Sequence, residues 1–426
     1  MRSYQNHGQD WANEGKDGMK LPTYDRLSRD QANALKIPLD DSCLITGPPG
    51  SGKTVIAIHR ANEASQAGKA TRMLMFFRVL AGYTQDAADH GDNIEINGEQ
   101  NTFNSWFWSL YWKVFKHGPP TMPDDKWKVD WQAVLMDAQQ LTEGQKSDAN
   151  LDLIIDEGQD IPKGFYWFAT DLGSTTTIFA DQNQGITDDP TSIQDIQETT
   201  GIGPERTMTL THNFRNTFET ARLASYIGKR TFTAESNQID TADLENLAKG
   251  NMPELYRQPI EEMIPRMLRM AANQSESHIG IFTDKLALQK KIFTQLSAQK
   301  AADPEFKNVK IQYYDSSEYN NRLKKSRRNG SSSVPAVETD INWQEPGIKL
   351  VNFISAKGLE FDTVFIPELQ DLRTIHSDPE NTLSARLFYV AVTRARLQLI
   401  LSYGGSGEPA IMSLFPKEYL TIMEPS

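Results

Sequence analysis

Gly47-Pro48-Pro49-Gly50-Ser51-Gly52-Lys53-Thr54 sets glycines, a lysine and a hydroxyl at the GxxxxGK-Ser/Thr spacing of a phosphate-binding loop. Glycines let backbone N–H groups wrap phosphate oxygens, and a helix opening at the lysine turns its positive end toward them. Lys53 then suits β- and γ-phosphates, and the Thr54 hydroxyl suits Mg²⁺. A second group, Asp156-Glu157-Gly158-Gln159-Asp160, places adjacent carboxylates behind an apolar run. Asp156 suits holding the metal, and Glu157 suits orienting or deprotonating an attacking water. A third group, Asp181-Gln182-Asn183-Gln184, offers a glutamine to sense the γ-phosphate. The chemistry these residues share is hydrolysis of a nucleoside triphosphate. The bland alternatives are a Gly/Pro-rich structural turn for the first group and a solvated strand end for the second.

Both groups sit where the chemistry needs them. The apolar Cys43–Thr46 precedes the loop, and Val55-Ile-Ala-Ile follows it with a helical pattern. Leu151–Ile155 runs into Asp156, so the carboxylates fall at the C-terminal edge of a strand, where open α/β sheets bind ligands. Further buried strands are expected at Met73–Phe77, Thr176–Ala180, Ile279–Phe282, Val309–Tyr313, Ile348–Ile354, Thr363–Ile366 and Leu397–Leu401. Helical patterns at Thr54–Ala67, Lys285–Lys300 and Leu383–Arg394 lie between them, and this alternation predicts parallel α/β sheets.

Composition narrows the class. The chain has 426 residues, 38% of them apolar, which suits globular cores and excludes fibrous or disordered chains. A single cysteine, Cys43, excludes an intrachain disulfide, and no Cys/His set has zinc-ligand spacing. Residues 1–22 are polar and carry no signal core, and no apolar run is long enough to span a bilayer. A soluble, cytoplasmic protein is expected. Lys and Arg number 44 against 56 Asp and Glu, a net charge of −12. The excess lies in residues 1–204, which hold 17 basic and 29 acidic residues, whereas 205–426 hold 27 of each. Any phosphate-binding footprint should therefore be modest and weighted to the second half, where Arg322, Lys324, Lys325, Arg327 and Arg328 cluster.

The order of short motifs from about Leu27 to Ser402 resembles the UvrD/Rep-like branch of superfamily 1 helicases. Leu27–Gln31 is similar to the family's Q motif, Leu74–Phe76 to motif Ia and Thr102–Trp106 to motif Ib. Asp156–Asp160 resembles motif II, Ala180–Gln184 motif III and Asn213–Thr217 motif IV. Ser355–Phe361 and Tyr389–Arg396 are near-verbatim motifs V and VI. The resemblance implies two tandem RecA-like P-loop NTPase domains with parallel sheets and ATP held between them. Their expected extents are 23–204, with a reduced insertion at about 108–150, and 205–426, with a flexible basic loop at 315–347. It carries Gln31 and Phe214 to the adenine, Glu360 to the ribose with Gly358 beside it, and Gln184, Arg215 and Arg394 to the γ-phosphate. Lys53, Glu157, Gln184, Arg215 and Arg394 are thus the expected catalytic set. Thr54 and Asp156 are the expected metal ligands, and ATP and Mg²⁺ the expected cofactors. For single-stranded DNA, with RNA still open, the expected contacts are Phe76, Thr102, Phe103, Trp106, Trp108, Arg322, Lys324 and Lys325.

Departures from the family pattern are informative. Val55 stands where larger relatives place an arginine over the adenine, and Phe214 replaces a tyrosine. The aromatic and arginine that follow motif III are absent, Asn104 replaces a common histidine, and little room is left for the large accessory insertions. Trp112, Trp127 and Trp131 read as packing for the reduced insertion, and His212 as structural. The leading expectation is an ATP-dependent translocase or helicase with 3′→5′ polarity. The alternative is a regulatory or sensing NTPase subunit of a larger complex, such as an anti-phage system, with a nuclease as its protein partner.

Overall fold

The computed structural model describes residues 23–75, 103–149, 151–185, 187, 190–231, 244, 247–315, 341–343, 345–372, 383–414 and 416–423. One compact unit is Lys20–Phe214, and another is built from Arg215–Ser426.

In the first unit α1 (Arg29–Leu35) precedes β1 (Cys43–Thr46), α2 (Lys53–Gln66) and β2 (Thr71–Leu74). Then come α3 (Phe103–Phe115), an antiparallel hairpin of β3 (Thr121–Met122) and β4 (Asp125–Val129), α4 (Trp131–Gln139) and α5 (Glu143–Ala149). The unit closes with β5 (Asp152–Ile155), α6 (Lys163–Asp171), β6 (Thr176–Ala180), α7 (Ile193–Thr200) and β7 (Thr207–Thr209). Its sheet has the order β2-β5-β6-β1-β7, every pairing parallel. The unit extends past residue 204 because β7 pairs with β1; the division expected from sequence precedes that strand.

Successive strand residues point to opposite faces, and both faces are covered here. Leu44, Leu153, Ile155, Ile178 and Ala180 pack on one side with Phe107, Tyr111, Phe165 and Phe168. Cys43, Ile45, Ile154 and Phe179 pack on the other with Ile56, Ala57 and Ile58 of α2. Strands buried on both faces read as continuous apolar runs, which is why the sequence showed them.

The second unit contains α8 (Phe218–Thr231), β8 (Glu254–Tyr256), α9 (Ile260–Asn273), β9 (His278–Thr283) and α10 (Leu286–Ala302). β10 (Ile311–Tyr313), β11 (Gly347–Asn352), β12 (Phe361–Ile366), α11 (Leu383–Val392), β13 (Ala395–Ser402) and β14 (Thr421–Met423) complete it. The sheet order is β10-β11-β9-β12-β13-β8-β14, again wholly parallel. Ile279, Ile281, Ile348, Leu350, Phe365 and Ile400 form one core with Met263, Met267, Ile292 and Leu296 of α9 and α10. The expectation of two RecA-like domains with parallel sheets holds. Among the described residues no helix is long and apolar enough to cross a membrane.

Candidate active site

The phosphate loop leaves the end of β1 and closes on the first turn of α2. Gly52 takes φ 82°, a left-handed conformation that a side chain disfavours, and a Cβ there would stand 2.3 Å from Gln31 Nε2. A Cβ on Gly47 would meet Ser51 Oγ at 2.7 Å and the Leu210 carbonyl at 2.9 Å. The loop is thus a cradle that only glycines permit. Among the described residues the buried Ser51 hydroxyl has no hydrogen-bond partner, and its free capacity suits a phosphate oxygen.

Lys53 is 7% exposed, and its ammonium donates to the carbonyls of Gly47 at 2.7 Å and Pro48 at 3.0 Å. It also lies 3.6 Å from Asp181 Oδ2. Thr54 Oγ1 donates to Asp156 Oδ2 at 2.7 Å, joining the loop to the end of β5. Burial, and next the Glu157 carboxylate, push the Asp156 carboxyl up to about 6; a cation beside it would favour its ionised form. Among the described residues no group of three or more His, Cys, Asp or Glu is placed to hold a metal ion. Mg²⁺ takes one or two protein oxygens and fills its shell with water and phosphate, a donor set that a hydroxyl and a carboxylate oxygen 2.7 Å apart can supply. Thr54 and Asp156 are the oxygens that would hold it.

Glu157 adopts φ 57°, unusual for a residue with a side chain. Gln159, fully buried, fixes it there: its Nε2 donates to Glu157 Oε2 at 2.6 Å, and its Oε1 accepts from the Asp181 backbone N–H at 2.9 Å. Tyr166 adds a hydrogen bond to the Gly158 carbonyl at 2.7 Å. Gln184 donates to Asp181 Oδ2 at 2.6 Å, so the Gln184 amide and the Lys53 ammonium share one carboxylate oxygen. Asp181 and Gln159 were not singled out by sequence reasoning. The signal available was weak: an aspartate ending β6, and a glutamine two residues past Glu157.

Gln31 joins α1 to the loop. Ser28 caps α1 by accepting from the Gln31 N–H, while Gln31 Oε1 accepts from the Ser28 N–H and Nε2 donates to the Ser51 carbonyl at 3.0 Å. Phe214 is 38% exposed, and its N–H donates to the Gly50 carbonyl at 2.9 Å. Gln31, residues 47–54, Asp156, Glu157, Gln184 and Phe214 therefore all belong to the first unit, tied to the loop directly or through Asp156, Gln159 and Asp181.

In the second unit Arg215 donates from Nε and Nη2 to Glu360 Oε1, at 2.8 and 2.6 Å. Burial raises the Glu360 carboxyl, but the guanidinium groups of Arg215 and Arg396, with Arg394 beyond, outweigh it and hold the group below its ordinary range. Gly358 has φ 79° in the turn before Glu360. Arg394 is 1% exposed, its Nε donating to the Val390 carbonyl at 2.9 Å and its Nη2 to Thr393 Oγ1 at 3.1 Å. Asn216 Nδ2 bonds the carbonyls of Thr393 and Ala395, tying the Arg215 segment to the end of α11.

The nucleic-acid expectations need correction. Phe103 is 2% and Trp106 8% exposed, and both pack edge-on against Phe165 in the core, so neither offers a face to a base. Trp131 packs against the core, as expected, its ring tilted 40° to that of Phe107 with centroids 4.9 Å apart. Trp112, expected to pack, is instead 60% exposed, and Trp108, four residues earlier on α3, is 40% exposed. Phe76, Thr102, Arg322, Lys324 and Lys325 lie outside the described residues.

Comparison with known proteins places residues 199–406 in the UvrD-like helicase C-terminal domain family and residues 31–189 in an AAA domain family. No curated protein matches the chain. Among solved structures, the Pif1 helicase from Candida albicans is similar over 88% of this chain and 94% of its own, with 14% identity and a TM-score of 0.42. The C-terminal domain of a possible DNA helicase from Lactobacillus plantarum covers 49% of this chain and 99% of its own, with 15% identity and a TM-score of 0.31.

Proposed function

We propose that this chain, which belongs to the UvrD-like branch of the superfamily 1 helicases, hydrolyses ATP to move 3′→5′ along single-stranded DNA. The observation that carries the ATPase reading is the 2.7 Å hydrogen bond from Thr54 to Asp156, with Glu157 locked beside it by Gln159. It brings the phosphate loop and the carboxylate strand into the register that phosphoryl transfer requires. Mg²⁺, when bound by Thr54 and Asp156, would neutralise charge on the phosphates. Lys53 and the loop amides bind the phosphate oxygens, and Lys53 turns from the Gly47 and Pro48 carbonyls to do so. Glu157 orients a water and accepts its proton. Gln184 senses the γ-phosphate, Arg215 and Arg394 balance the charge that spreads over its oxygens, and Gln31, Phe214 and Glu360 receive the nucleoside.

The polarity and the preference for DNA rest on the motif resemblance. The test is the ATPase rate of the purified chain with no polymer, single-stranded DNA, duplex DNA and RNA. A second measurement is displacement of streptavidin from 3′- or 5′-biotinylated strands. Stimulation by single-stranded DNA, loss of turnover in Lys53→Ala and Glu157→Gln, and faster clearance of the 5′ end are expected. Hydrolysis indifferent to every polymer would refute translocation, and clearance of the 3′ end would reverse the polarity.

A further inference from the structure

Side chains from two distant stretches of sequence meet beside the phosphate loop. His212 Nδ1 lies 3.6 Å from Asp30 Oδ2, and Thr211 Oγ1 donates to the same carboxylate oxygen at 2.9 Å. The imidazole lies nearly parallel to the Phe214 ring, with centroids 5.9 Å apart and planes 15° apart. That is the offset stacking aromatic rings prefer over a face-to-face sandwich. Phe214 is anchored to the loop by its N–H on Gly50, and Asp30 immediately precedes Gln31, which bonds Ser51. One contact therefore links both residues expected to meet the base, Gln31 and Phe214, and each is separately tied to the loop that meets the phosphates.

A half-exposed phenyl ring on a loop has several rotamers open to it. A base can stack on it at little entropic cost only if the ring is already held. Val55 supplies no cation above the base, so binding in this chain must lean on ring against ring. His212 provides the backing: its imidazole lies along Phe214, and Asp30 and Thr211 fix the imidazole by its Nδ1 edge.

We propose that His212 is a positioning residue for the nucleobase: tethered by Asp30, it holds Phe214 in the stacking position and so sets the preference for a purine. The proposal rests on the reading that this chain hydrolyses a nucleoside triphosphate with Phe214 against the base.

The experiment compares the full chain with His212→Ala, His212→Phe and Phe214→Ala. It measures KM and kcat for ATP and CTP, inhibition by inorganic tripolyphosphate, which has no base, and the melting temperature. His212→Ala should raise KM for ATP about three- to tenfold, the worth of one aromatic pair. Its kcat should stay within about twofold, since uniform binding alone is lost. The ATP-over-CTP preference should shrink, tripolyphosphate inhibition should not move, and His212→Phe, which keeps a ring but loses the hold of Asp30 and Thr211 on Nδ1, should restore only part of the KM. An unchanged KM in His212→Ala, with a raised KM in Phe214→Ala, would overturn the proposal while leaving the ATPase reading intact. Equal weakening of ATP and tripolyphosphate would also overturn it, because the effect would then lie in the loop and not at the base. A wild-type chain without nucleotide hydrolysis would remove the ATPase reading and the proposal with it.

Discussion

Arg215 and Glu360 hold one another: the guanidinium delivers Nε and Nη2 to a single carboxylate oxygen, 145 residues away in the chain. Resemblance assigns the first to the γ-phosphate and the second to the ribose; on that proposed assignment the pair would keep two nucleotide-binding groups in place through their mutual charge. Arg215→Ala should lower kcat about 10³-fold or more, the usual worth of a charge-balancing arginine in phosphoryl transfer. Arg215→Lys should not rescue it, because an ammonium cannot reproduce the forked contact. Single-turnover hydrolysis with the melting temperature as control checks this. Recovery of rate in the lysine variant would show that charge alone suffices.

Gly52→Ala should damage the loop in two ways. The left-handed backbone costs a side-chain residue about 1–2 kcal/mol, and the new methyl would meet Gln31 Nε2. Displacing Gln31 breaks its bond to the Ser51 carbonyl. The expected outcome is a melting temperature lower by a few degrees and a larger proportional loss of ATP affinity, read by calorimetry and nucleotide titration.

The tryptophans of α3 should separate cleanly. Trp106→Ala empties a core position against Phe165 and should cost about 3–5 kcal/mol of stability. Trp112→Ala, on the exposed face, should stay within about 0.5 kcal/mol. Urea unfolding of the two variants decides. A large loss from Trp112→Ala would mean that its ring packs in solution.

The second sheet carries a titratable pair. Burial, with the Lys349 and Arg396 charges, holds the His278 imidazole down at about 4, and its Nδ1 lies 3.1 Å from the fully buried Lys349 ammonium. Burial likewise lowers Lys349 to about 8, against the opposing pull of Glu345 and Asp362. Between pH 4 and 6.5 the unfolded chain holds a proton on this histidine that the folded chain lacks. Folding stability should therefore rise with pH across that window and fall as acid is added, by at most about 3 kcal/mol from this group. His278→Asn should flatten the slope, as read from chemical denaturation at stepped pH.

Much of the site was legible because its chemistry demands contiguous residues. The phosphate loop and the Asp156–Glu157 pair each occupy one short stretch at a strand end, and the strands beside them are apolar throughout. Thr176–Ala180 coincides with β6, and the expected strands at 279–282, 363–366 and 397–401 fall inside β9, β12 and β13. What escaped was short or long-range. β7, β8 and β14 are three residues each, and β7 reads Thr-Met-Thr, with no apolar run to mark it. The hairpin strand Asp-Lys-Trp-Lys-Val is mostly polar. No residue near His212 in the sequence marks its partner, because Asp30 lies 182 positions away, and Arg60, 1% exposed, gives no sequence hint that its guanidinium bonds Thr177 and the carbonyls of Ile37 and Pro38. Trp106 and Trp112 have the same residue type, and only the phase of α3 tells one from the other.

The pairing of β7 with β1 bears on how the polypeptide is made. A ribosome releases β1 early, but one of its two neighbours, β6, follows about 130 residues later and the other, β7, later still. Until residue 209 has emerged, one flank of β1 presents unpaired amides and carbonyls, a template for sticking to other nascent chains. A fragment ended at residue 204 would keep that flank open permanently. It should aggregate on expression where one ended at residue 214 stays dispersed, although both retain the whole phosphate loop.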